Sequence, residues 1–134
     1  MAPSYRITQA ARLLGVSADT VRRWADSGRL PVTRQAGGRR QVDGADLARF
    51  ASSLGDEEDL GATGGHSARN RLLGIVTKVT RDGVMAQVEM QAGPFRIVSL
   101  LSREAADELA LAPGVTAVAS VKSTNVTIEL PAEP

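Results

Sequence analysis

The chain contains no cysteine and a single histidine. Disulfides and thiolate metal sites are thereby excluded, and one imidazole alone does not build a transition-metal centre. Aromatic residues number four, Tyr5, Trp24, Phe50 and Phe95, so any core must be aliphatic and small. No apolar run approaches the ~20 residues of a membrane span, and the first residues, Met1-Ala2-Pro3-Ser4-Tyr5-Arg6, lack the apolar stretch of an export signal. A soluble cytoplasmic protein with no membrane partner is the expectation. The means of catalysis are missing as well: there are no paired carboxylates, no Cys–His arrangement and no phosphate-binding glycine loop. Gly37-Gly38 and Gly64-Gly65 are too short to form one. A binding protein is expected rather than an enzyme.

Charge is present but unevenly placed. Residues 1–55 hold nine Arg and four Asp, a net of +5; residues 56–66 add four acids and no Lys or Arg; residues 67–134 hold seven of each sign. The near-neutral total conceals a basic module, an acidic joint and a neutral module. A two-domain α+β chain is expected, with domains at 1–55 and 67–134 and a flexible linker at 56–66. His66 falls in that linker. The N-terminal cations are all arginine, which favours contact with phosphates or base edges.

In the N-terminal module Thr8 is the expected N-cap of a first helix, with Ala11 and Leu14 buried and Gly15 as its stop. Ser17 caps a second helix, and Val16 and Val21 have the spacing of a hydrophobic staple. Val21, Trp24 and Ala25 share its inner face, leaving Asp19, Thr20, Arg22 and Arg23 outside. Gly28 and Pro31 end it. Two short extended segments about Gly37-Gly38 follow as a wing carrying Arg34, Arg39 and Arg40. Asp43 then caps a third helix whose apolar stripe is Leu47, Phe50 and Leu54.

The run from Ile7 to Pro31 with its glycine-turned wing resembles the winged helix-turn-helix of MerR-type regulators and phage excisionases. That resemblance implies a partner, double-stranded DNA, with the second helix in the major groove. Ser17, Thr20, Arg22, Arg23, Arg34, Arg39 and Arg40 are the DNA-binding candidates it implies.

The C-terminal module reads as short strands punctuated by glycine turns: about 72–80, 84–91, 95–101, 115–122 and 125–130, with a helix from Arg103 to about Leu109 capped by Ser102. Ile75 and Val79 are expected inward on the first strand, Val84, Ala86, Val88 and Met90 on one face of the second, and Ala105, Ala106 and Leu109 inward on the helix. Five strands and one helix suggest a small OB-like barrel. Two segments, Ser67-Ala68-Arg69-Asn70 and Val121-Lys122-Ser123-Thr124-Asn125-Val126, combine hydroxyls, amides and a cation with no carboxylate. Such a donor set suits a small oxyanion and suits a free metal cation poorly.

Those two segments, with Gly74, the Gly83–Val88 stretch, Ser102-Arg103-Glu104 and Leu109–Gly114, resemble the Mop (molybdenum-pterin-binding-like) or TOBE domain, the family of molbindins and of molybdate regulators. The resemblance implies molybdate or tungstate as ligand, held between domains. Its implied oxyanion-binding residues are Ser67, Ala68 through its backbone N–H, Arg69 and Asn70 from one copy and Lys122, Ser123 and Thr124 from another, with Ser102 and Arg103 at a second class of site. It also implies a homo-oligomer, a hexamer built as a trimer of dimers. Together the two resemblances imply a molybdate- or tungstate-responsive transcriptional regulator, with a molbindin-like storage or buffering protein as the alternative.

Overall fold

The computed structural model describes residues 3–55 and 67–132, which fall into two compact units. The linker expected at 56–66, and His66 with it, lie outside the described residues. No helix among the described residues is long and apolar enough to cross a membrane.

The N-terminal unit runs β1 (Ser4–Arg6), α1 (Ile7–Leu14), α2 (Ala18–Asp26), β2 (Thr33–Arg34), β3 (Arg40–Asp43) and α3 (Gly44–Gly55). Its strands form an antiparallel sheet in the order β1-β3-β2. Strand β1 has no counterpart in the sequence reading, and it moves the start of the first helix. Pairing of Arg6 with Gln41 carries the chain extended up to Ile7, so the cap expected at Thr8 is not formed. Arg6 is the flanking residue instead, and its backbone N–H donates to Gln9 Oε1 at 2.9 Å. Arginine has no acceptor to return the bond, so the cap is one-sided, with Gln9 holding the Arg6 N–H, and Thr8 sits exposed in the first turn.

The remaining boundaries follow local chemistry. Gly15 ends α1 at φ 70°, a left-handed conformation that glycine adopts without a Cβ penalty. The Ser17 hydroxyl accepts from Thr20 N–H at 3.1 Å and caps α2. Asp43 Oδ2 accepts from the N–H groups of Ala45 and Asp46 and caps α3. Ile7, Ala10, Ala11, Val21, Leu30, Val42, Leu47 and Phe50 form one buried cluster that draws on all three helices and β3. Trp24 packs on it as expected, its ring 4.9 Å from that of Phe50.

The C-terminal unit runs β4 (Asn70–Arg81), β5 (Met85–Ala92), β6 (Phe95–Ser102), α4 (Arg103–Glu108) and β7 (Thr116–Val121), followed by a 3-10 turn at Ser123–Asn125. The sheet is antiparallel in the order β6-β5-β4-β7. It curls into a half-barrel whose two edge strands, β6 and β7, both line an open apolar cleft together with Val88, Met90, Leu109 and Leu111. The fifth strand expected near 125–130 is not formed among the described residues: beyond the turn the chain pairs with no strand, and Ile128 and Leu130 are 88% and 89% exposed.

Three inward assignments are also corrected. On β4 the buried residue is Val76, with Ile75 47% exposed, because the register with β5 shifts between Val76 and Lys78. A bulge of this kind inserts an extra residue and inverts the alternation on one side of it. Val84 and Leu109 are exposed rather than packed inward, since one lies in the turn before β5 and the other just past the end of α4. Ala86, Val88 and Met90 are buried on β5 as the alternation requires. Gly74 is required for close approach of the strands: a Cβ there would collide with the Gln91 carbonyl oxygen across the sheet.

Candidate functional sites

The exposed face of α2 divides in two. Arg22 pairs with Asp19 at 2.7 Å, while Arg23 Nη2 donates to Thr20 Oγ1 at 3.2 Å. Thr20 Oγ1 also lies 2.9 Å from the Ser17 hydroxyl, so these two hydroxyls are engaged in holding the helix start and orienting Arg23. The wing is closed by Gln35 N–H donating to the Arg39 carbonyl at 2.7 Å and turns through Gly38 at φ 83°. Arg34 Nη1 donates to the Gly38 carbonyl at 3.2 Å. Arg40 Nη1 reaches Asp26 Oδ1 at 2.7 Å and so fastens the wing to the end of α2.

These elements enclose an open groove lined by Arg6, Ile7, Thr8, Arg22, Arg34, Gly38, Arg39 and Arg40. The structure therefore gathers Arg22, Arg34, Arg39 and Arg40 as expected, and leaves Ser17, Thr20 and Arg23 outside the lining. Arg6 is a member that sequence reasoning missed; its only mark in the sequence is its place just before α1 with a glutamine three residues on. Five guanidinium groups meet two carboxylates here, Asp19 and Asp26, each already paired. The groove is cationic and wet, a surface for a polyanion.

In the C-terminal unit the ladder between β4 and β7 ends at the pair Asn70–Val121, and Asn70 Nδ2 donates to the Val121 carbonyl at 3.1 Å. Ser67–Asn70 and Lys122–Thr124 thus stand at the same end of the ladder within a single chain. Lys122 leads into the 3-10 turn, with Asn125 N–H donating to its carbonyl at 2.9 Å. Arg69 and Lys122 are exposed and enter no ion pair among the described residues. The amide of Asn70 is engaged in the ladder, which leaves the hydroxyls, the backbone N–H groups and the two cations as the donors to an anion.

Ser102 and Arg103 lie elsewhere. Ser102 pairs with Met85 beside the far end of β4, where Arg81 pairs with Ala86. Its hydroxyl accepts from Ala105 N–H at 3.0 Å, and Arg103 Nη1 donates to the Asp82 carbonyl at 3.0 Å. Glu104, Asp107 and Glu108 line the same shallow pocket as Arg103, and Asp107 pairs with both Arg81 and Arg103, so carboxylates offset the cations at this end of the module. The Asp82 carboxylate closes the turn by accepting from Met85 and Val84 N–H, both at 2.7 Å. Those bonds, Met85 first, and the nearby Arg103 charge hold its pKa below the usual carboxylate range.

Residues 66–128 match the family model described as the TOBE domain, and residues 4–54 match that of the helix-turn-helix domain. The chain joins a helix-turn-helix domain to a TOBE domain. No curated protein matches it. Among solved structures it is similar to a molybdate binding protein from Sporomusa ovata, at 27% identity over 49% of this chain and 98% of that one, with a TM-score of 0.48. It is also similar to MopII from Clostridium pasteurianum, at 36% identity over 49% of this chain and all of that one, with a TM-score of 0.46. The TOBE match spans the half-barrel together with Ser67–Asn70 and Lys122–Thr124, and the helix-turn-helix match spans all five arginines of the groove.

Proposed function

We propose that this chain is a DNA-binding regulator that responds to a tetrahedral oxyanion, molybdate or tungstate, bound by the TOBE domain. What supports the reading is the Asn70–Val121 pair at the end of the β4–β7 ladder: Ser67, Ala68 and Arg69 lead into one strand there, and Lys122, Ser123 and Thr124 lead out of the other. A dianion with four oxygens needs several N–H and O–H donors and compensating positive charge, and those groups supply both. All but Ala68 are exposed in one chain, so a single copy offers half a shell, open to water.

A second copy completes the shell. The TOBE domain leaves Leu73, Ile75, Val98, Leu100, Val118, Ile128 and Leu130 at least 36% exposed, apolar side chains that a neighbouring copy would cover. Each chain presents both segments side by side, so a contact between copies at the ladder end brings four segments together. The assembly in mind is a hexamer made as a trimer of dimers. Joining several helix-turn-helix domains in one particle raises DNA affinity through effective concentration, and anion binding acts on DNA by altering that assembly.

Electrophoretic or anisotropy titration of a DNA fragment with and without molybdate tests the reading. A shift in affinity with anion supports it. Anion uptake with no salt-dependent DNA affinity selects the storage role, and equal affinity over a wide molybdate range removes the regulatory one.

A further inference from the structure

Among the groove arginines, Arg6 is held differently from Arg22, Arg34 and Arg40. Its side chain forms no hydrogen bond or ion pair among the described residues, whereas Arg22 and Arg40 are neutralised by Asp19 and Asp26. Its backbone is fixed twice, by pairing with Gln41 in the sheet and by the bond from its N–H to Gln9. An unneutralised guanidinium is thus carried on a strand paired with β3 of the wing, at the rim of a groove already lined by four others. Two residues on, Thr8 lines the same groove with a hydroxyl that has no hydrogen-bond partner among the described residues. Clustering cations this way lowers stability through mutual repulsion unless an anion occupies the space between them.

We propose that Arg6 and Thr8 hold one backbone phosphate of duplex DNA in the groove between the start of α1 and the wing. The inference rests on the DNA-binding reading and extends its contact surface from α2 and the wing to β1 and the first turn of α1. Arg39, the other groove arginine without a side-chain partner among the described residues, grips the same strand from the wing. The contact is to phosphate, because a guanidinium and a hydroxyl on this rim approach the sugar-phosphate chain while α2 faces the base edges. It therefore strengthens binding to every sequence alike.

The test uses the full chain and a labelled mixed-sequence duplex of roughly 30 base pairs, titrated by anisotropy between about 50 and 200 mM salt. Arg6→Gln should weaken binding about three- to tenfold and reduce the magnitude of the salt slope by about 0.9, the contribution of one phosphate contact. Arg6→Lys should restore the slope, and Thr8→Val should weaken binding with the slope unchanged. Arg12→Gln removes a charge from the same domain outside the groove lining and should change little. Equal melting temperatures establish that Arg6→Gln is folded, and its exposed side chain makes that the expected result. If Arg6→Gln behaves like Arg12→Gln while Arg39→Gln loses affinity and slope, the proposal is overturned and the DNA-binding reading stands. If the unaltered chain shows no salt-dependent binding, both fall together.

Discussion

The helix-turn-helix and TOBE domains differ in how they finish their cores. The first closes its own: eight apolar side chains from three helices and a strand meet in one cluster, and Leu30, Val21 and Val42 are at most 1% exposed. The second buries mainly small or slender groups, Val76, Ala86, Val88, Met90, Ala92 and Ala106, and leaves Leu73, Ile75, Leu100 and Leu109 among its longer aliphatics exposed. Its sheet has two unjoined edges beside an apolar cleft. A small module buries too little surface to be stable with its apolar face in water, so the contrast sets a domain with a closed core beside one that, in the proposed assembly, a second copy covers.

The sole tryptophan, Trp24, packs on the helix-turn-helix core, so its fluorescence follows that domain alone and allows the two to be perturbed separately. The largest effect is expected for Leu30→Ala, which should cost about 2–5 kcal/mol in the denaturant transition seen by Trp24 and spare the strand signal in circular dichroism. Gly74→Ala should do the reverse. The added Cβ collides with the Gln91 carbonyl, at a cost of about 1–3 kcal/mol in the TOBE transition, with the tryptophan transition unmoved. If both probes shift together in either variant, the two domains are not independent and the contrast fails.

A smaller effect separates the domains by pH. The Asp82 carboxylate has a folded pKa below its unfolded value, so its contribution is complete above the unfolded pKa and is lost as pH falls through the folded one. TOBE stability followed by circular dichroism should decline below about pH 4 in the native chain, and less steeply in Asp82→Asn. The smallest effect is expected at Ala110, which ends α4 at φ 53°. Ala110→Gly relieves a left-handed backbone and should raise TOBE stability by up to about 1 kcal/mol in the same measurement.

The helix-turn-helix domain was largely legible in its sequence because its decisions are local. Ser17, Asp43, Gly15 and Gly28 act on neighbours within four residues, and cap and stop chemistry is visible at that range. What was missed there is non-local: β1 exists because Arg6 pairs with Gln41, thirty-five positions away, and that pairing displaced the cap from Thr8 and placed Arg6 in the groove. The TOBE strands were legible from their turns, yet their inward faces were not. Ile75 and Val76 are adjacent and both apolar, so alternation could not choose between them, and the bulge after Val76 decided. The segment holding Ile128 and Leu130 has a strand's pattern without a strand's partner among the described residues.

The two oxyanion segments were recognisable by composition, but their adjacency was not. The sequence-based expectation has Ser67–Asn70 of one copy meeting Lys122–Thr124 of another; the β4–β7 register adds that within each chain the two segments stand at one end of the same ladder. A donor set is a local property of the chain; which segments share a ladder end is fixed only by pairing across fifty residues.

Native mass spectrometry of the full chain, with and without molybdate, tests the central claim that the TOBE site is completed by neighbouring copies. The account predicts a particle of several subunits, six in the proposed assembly, whose mass rises by whole molybdate increments when the anion is present. A monomer that takes up molybdate unaided, or an oligomer that binds none, would contradict it.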